Sequence, residues 1–127
     1  MKLEHIALTV IHQNEIEGFY VNILGMKVVK SFVLSAELAN SIFKINQEIL
    51  VFHLKKGNLL FEIFIGNFNI SYGFNHICIS VTDKASFIKN AISRNYKPLI
   101  VKRDYGDIVF VSDNIGNLFE IKEKTQN

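Results

Sequence analysis

Two histidines and two glutamates recur at matched places in this 127-residue chain. His5 opens His5-Ile6-Ala7-Leu8-Thr9-Val10, and 71 residues later His76 opens His76-Ile77-Cys78-Ile79-Ser80-Val81, with the same order of His, apolar, small, apolar, hydroxyl and apolar. Glu62 lies in Gly57-Asn58-Leu59-Leu60-Phe61-Glu62-Ile63, and 58 residues later Glu120 lies in Gly116-Asn117-Leu118-Phe119-Glu120-Ile121, one residue shorter. A carboxylate inside such an apolar run costs several kcal/mol, roughly, unless something compensates its charge. Protonation, a buried cation or a metal ion could each do so. Because both copies pose the same problem, a pseudo-twofold arrangement that brings the two His–Glu pairs together is the economical solution. Two imidazoles and two carboxylates suit a borderline divalent ion such as Ni, Co, Zn, Mn or Fe better than the all-oxygen shell of Ca or Mg. Open coordination positions on such an ion can accept two neighbouring oxygens of a small molecule and stabilise an enediolate, leaving Glu62 or Glu120 to carry a proton.

These residues need strands to aim them. Alternation puts His5, Ala7 and Thr9 on one face, with Ile6, Leu8 and Val10 on the other, and it likewise separates His76, Cys78 and Ser80 from Ile77, Ile79 and Val81. Each His therefore stands on a face lined by small residues, which leaves room for a ligand. Periodicity predicts strands near 3–11, 27–35, 48–56, 58–66, 74–82, 98–103, 107–112 and 117–124. A helix is predicted from about Gln13 to Leu24, ending at Gly25, and a second after Thr82 or Asp83 with Phe87, Ile88, Ala91 and Ile92 on one side. The His-to-Glu interval is 57 residues in the first copy and 44 in the second, so the first carries 13 more. The surplus falls at residues 35–45, where Ser35 is a fitting N-cap and Leu38, Ile42 and Ile45 recur at helical spacing.

The expected fold is thus α+β: two tandem β-α-β-β-β modules, 1–66 and 74–127, joined by a linker over 67–73 and forming a curved, partly open mixed-sheet barrel around a metal site. A length of 127 residues, 49% hydrophobic content and eleven Phe suit one domain with a packed core. The formal charge of +2 arises from basic residues scattered along the chain, which argues against a nucleic-acid partner. Cys78 is the only cysteine, so no internal disulfide framework exists. No signal-like start and no membrane-length apolar run occur, and a cytoplasmic protein is the expectation.

These residues resemble the vicinal oxygen chelate superfamily, which includes glyoxalase I, methylmalonyl-CoA epimerase, extradiol dioxygenases, fosfomycin-resistance enzymes and metal-free bleomycin-binding proteins. The resemblance covers almost the whole chain. Phe19-Tyr20 followed by Leu24-Gly25 and Val28 is similar to the family's first helix and the strand after it, and residues 113–121 (DNIGNLFEI) are similar to its DPDGN-x-x-E-L signature, with Asn114 in place of Pro. The set His5, Glu62, His76 and Glu120 resembles the metal ligands of bacterial glyoxalase I. It implies a metal-dependent lyase or isomerase that acts on a small oxygenated metabolite, with Glu62 and Glu120 catalytic. A homodimer is implied as well, since paired modules in this superfamily exchange between chains. The alternative is a non-catalytic, metal-free protein that binds an antibiotic or another small molecule; an epimerase-like or dioxygenase activity comes third, because Gln and His respectively stand in those enzymes where Glu62 stands here. Thr9 and Gly66 occupy the places where glutathione-dependent members carry Arg and Asn, which points away from a glutathione adduct.

Other candidates have plainer readings. His12 and His53 lie outside the repeat and read as surface or packing residues, and Cys78 as a residue lining or packing beside the pocket. Tyr72, Phe74 and Tyr105 read as packing near turns, and Lys102-Arg103 as a solvated strand end.

Overall fold

A computed structural model of the chain describes residues 2–68 and 75–124. The predicted linker at 67–73 therefore lies mostly outside the described residues, as do Tyr72 and Phe74. The chain divides into two compact units at the boundary between Asn69 and Ile70.

In the first unit β1 (Ile6–Val10) is followed by a π-helical segment (Ile16–Val21), β2 (Lys27–Leu34), α1 (Ala36–Phe43), β3 (Ile49–Lys56) and β4 (Leu59–Ile65). The strands form a mixed sheet of order β1-β4-β3-β2, with β1 parallel to β4 and the other pairs antiparallel. The second unit repeats the plan with β5 (Ile77–Val81), α2 (Lys84–Ser93), β6 (Leu99–Val101), β7 (Ile108–Ser112) and β8 (Leu118–Glu123), in the order β5-β8-β7-β6. The architecture is α+β with two open four-stranded mixed sheets, and each of the eight predicted strands is found.

Pleating separates the two faces of the first sheet. Phe61 and Ile63 of β4 are completely buried, and the buried Tyr20 of the π-helical segment meets Phe61 edge-on at 6.1 Å. This ring pair belongs to the core on one side. The opposite side carries Glu62 and Phe64, and α1 packs there: Ala39 joins Ile49 and Val51 in a buried cluster flanked by Phe32, Leu34, Ile45, Phe64 and Phe68. In the second sheet the buried set is Val109, Val111, Phe119 and Ile121, and α2 contributes buried Ala91 and contacts β8.

Helical segments lie where periodicity places them, with details that periodicity does not give. The first helix closes its turns from Asn22 N–H to Glu17 O and from Leu24 N–H to Phe19 O, five residues back rather than four. Apolar periodicity locates such a segment but does not separate the two bonding patterns. In α1 the buried residue is Ala39, while Leu38 and Ile42 are exposed, because close approach to the sheet favours the small side chain. Ile92 of α2 is exposed as well. The caps agree with expectation: Ser35 Oγ accepts from Leu38 N–H at 3.2 Å, and Asp83 Oδ1 accepts from Ser86 N–H at 2.9 Å. Gly25 closes the first helical segment at φ 71°, and Lys56 of β3 donates from Nζ to the Leu24 carbonyl beside it at 2.9 Å.

Candidate functional site

Glu62 is aimed by β4 and flanked on both sides by strand neighbours, Ala7 of β1 and His53 of β3. In the second unit Glu120 of β8 is flanked by Cys78 of β5 and Phe110 of β7. The two carboxylates thus occupy equivalent central-strand positions, each beside a parallel strand that begins just after a histidine. His5 Nε2 lies 3.9 Å from Glu62 Oε1, and His76 Nε2 lies 3.7 Å from Glu120 Oε2. The histidine side chains are 44% and 40% exposed and the glutamates 18% and 22%, so the imidazoles reach solvent while the carboxylates are largely enclosed.

The resemblance implies a divalent ion, and the donor chemistry within each unit can be compared with one. Metal–ligand bonds of about 2.0–2.2 Å place two ligand atoms roughly 3 to 3.5 Å apart, so each His–Glu pair needs to close by less than about 1 Å. Among the described residues no group of three or more His, Cys, Asp or Glu side chains that could hold a metal is found. In the first unit the imidazoles of His5 and His53 both face the Glu62 carboxylate, and in the second His76 faces Glu120; imidazole and carboxylate are donor types that a borderline divalent ion accepts.

Sequence reasoning missed His53. Its Nε2 makes a 2.6 Å hydrogen bond with Glu62 Oε2, and only 15% of its side chain is exposed. Phe32 packs edge-on against its ring at 5.4 Å. Glu62 therefore has one oxygen engaged by His53 and the other turned towards His5. No repeat signal marks His53, because its counterpart across the central strand of the second sheet is Phe110, whose ring meets His76 at 5.8 Å. What would have found it is strand register: a two-residue β3–β4 turn sets His53 opposite Glu62.

Cys78, on the site-bearing face as expected, stands opposite Glu120. Desolvation first and then the Glu120 charge push its thiol upward from the usual cysteine range, and a hydrogen bond to Glu120 acts in the same direction. The second carboxylate is thus accompanied by a neutral thiol where the first has an imidazole. Asp113 serves the turn rather than the site: Oδ1 accepts from the N–H groups of Ile115, Gly116 and Asn117, and Oδ2 from the Asn117 amide, with Gly116 at φ 102°. Lys102 pairs with Asp107 at 2.9 Å, Arg103 donates to the Gly106 carbonyl and lies over the Tyr105 ring, and His12 is exposed.

The sequence matches the family model Glyoxalase/Bleomycin resistance protein/Dioxygenase superfamily over residues 2–121. The chain belongs to this superfamily. No curated protein matches it in sequence. Among solved structures, it is similar to the glyoxalase family protein from Enterococcus faecalis (TM-score 0.75, 20% identity, covering 96% of this chain and 97% of that one). It is similar as well to the fosfomycin resistance protein FosX from Listeria monocytogenes, solved as a glutamate-to-glutamine variant with Mn(II) and dihydroxypropylphosphonic acid (TM-score 0.76, 18% identity, 98% and 93% covered). A third is a glyoxalase I variant from Zea mays, of which this chain spans 46% while 98% of its own length is covered (TM-score 0.76, 19% identity). Identities this low carry the superfamily fold alone.

Proposed function

We propose that this superfamily member is a glyoxalase-like, metal-dependent lyase or isomerase, in which His5, Glu62, His76 and Glu120 together hold one divalent ion, Ni, Co, Zn, Mn or Fe. The observation that carries the reading is the matched pair of half-sites, with imidazole and carboxylate 3.9 Å and 3.7 Å apart at equivalent places on two sheets. The substrate is a small oxygenated metabolite with neighbouring carbonyl and hydroxyl oxygens. A bound divalent ion would supply positive charge that stabilises oxyanion character on such a substrate.

The protein's own groups divide the remaining work. Glu62, with Oε2 tied to His53, is the positioned carboxylate. Glu120 is the proton carrier: it takes the proton from the hydroxyl-bearing carbon, the C–H pair becomes a C=C bond as the carbonyl π pair moves onto its oxygen, and the proton is returned to the former carbonyl carbon while the hydroxyl proton passes to the former carbonyl oxygen. An isomerisation of this kind leaves the atom count unchanged. The protein works as a homodimer in the cytoplasm on this reading.

Metal content is the test. Protein purified without chelator and equilibrated with Ni, Co, Zn or Mn is expected to retain one ion per four-residue site, and binding well below stoichiometry would remove the reading. Tight binding of a planar ligand that is indifferent to chelator, with no turnover, would favour a non-catalytic binding protein instead.

A further inference from the structure

The face of the first sheet that carries Glu62 holds a pocket of about 150 Å³, lined by Ala7, Leu8, Thr9, Phe43, Ile45, Ile49, Phe64 and Phe68. Its position is fixed by register. Ala7 is the β1 partner of Glu62, and Thr9 is the partner of Phe64, so the cavity starts at the residue beside the carboxylate and runs along the same face away from His5. The far wall comes from the end of α1 and the segment after it, where Phe43 meets Phe64 edge-on at 5.4 Å. This is the 13-residue surplus that the second module lacks. Phe68 closes another side, and it can do so because residue 66 is glycine: a Cβ there would fall 2.4 Å from the Phe68 ring.

Apart from the Thr9 hydroxyl, the side chains lining this space are hydrocarbon, and Thr9 already has an interaction of its own. The pocket is half-open to solvent, and its volume has room for a benzene-sized group. Water gains little there, whereas a ring or branched alkyl group leaves solvent at a gain of roughly 25 cal/mol per Å² buried.

Resting on the proposed function above, we infer that this cavity is a subsite for one benzene-sized apolar substituent of the substrate. The molecule acted on is then an aryl- or branched-alkyl-substituted α-hydroxy or α-oxo carbonyl compound, its oxygens at the His–Glu end and its apolar group between α1 and the sheet. Charged or strongly polar substituents are rejected, because nothing in the lining would pair them.

Hydroxamates, which present two neighbouring oxygens, test this in two arms. With the metal-loaded protein, calorimetry is expected to give benzohydroxamate a Kd about tenfold below that of acetohydroxamate, reflecting the buried ring. Ala7→Leu, which fills the cavity, should lower that ratio to about one, and Phe43→Ala, on an exposed position, should shift the preference to 1-naphthohydroxamate. With chelator present, toluene is expected to move the methyl NMR signals of Ala7, Ile45 and Ile49 in the wild type and not in the Ala7→Leu protein. Two hydroxamates that bind equally, or an aryl preference that survives Ala7→Leu, would overturn the subsite. Toluene seated in the cavity while neither hydroxamate binds metal-treated protein would instead overturn the metal reading on which the proposal rests.

Discussion

The 2.6 Å hydrogen bond from His53 to Glu62 makes the two carboxylates unequal. A charge-assisted bond of this length holds one oxygen in place and limits the swing of the side chain. Opposite Glu120 the corresponding strand offers Phe110, and the neighbouring thiol of Cys78 is a weak donor by comparison. Glu120→Gln should therefore abolish turnover while the melting temperature stays near wild type, even when metal is supplied in excess to offset the weaker amide ligand; retained activity would reject its proton-carrying role. His53→Phe, which copies the second module, removes the anchor without touching a proposed ligand. It is expected to weaken metal affinity by roughly 10- to 100-fold, read by competition with a chelator, and His53→Gln should recover part of the loss because an amide N–H can replace the imidazole donor.

At the scale of the element, the helix caps translate sequence into a pH response. Hydrogen bonds from the Ser86 backbone and side chain hold the Asp83 carboxyl below its ordinary range. A depressed carboxylate contributes stability that is present above the unfolded-state value and lost as pH falls through the lower folded value. Amide protection at the start of α2 should therefore persist through mildly acidic pH and fail only when Asp83 is protonated, which hydrogen exchange at Ser86 would report. Asp83→Ala should remove that protection at every pH. The strands were legible because alternation of Phe61 and Ile63 against Glu62 and Phe64 has one solution on a pleated sheet. The helical faces were less so. Leu38, Ile42 and Ile92 are apolar and periodic yet exposed, since a helix that must approach a sheet closely is seated by its small residues, Ala39 and Ala91.

For the molecule as a whole, both modules carry the same order of strands, and each places a histidine beside a glutamate of its central strand. Neither unit closes its sheet, and the edge strands β2 and β6 expose Val28, Val29 and Val33, and Leu99, Ile100 and Val101. Exposed apolar edges invite pairing with another surface, in keeping with the homodimer in the proposed function. Sedimentation is expected to return twice the chain mass, and a monomer at micromolar concentration would remove that part of the reading. No helix of the described residues is long and apolar enough to cross a membrane.

The sequence by itself determined the repeat, the eight strands, the superfamily and the positions of His5, Glu62, His76 and Glu120, because each is written in local order: a period of two, a cap, or a motif that occurs twice. Tertiary structure decided what stands beside those residues. His53 reached Glu62 through antiparallel register, Cys78 reached Glu120 through parallel register, and the cavity arose where α1, β1, β4 and Phe68 meet. Side chains brought together by pairing and packing leave no mark in a single repeat unit, so the neighbours of the four candidate ligands became visible only once the strands were paired and α1 was laid on the sheet.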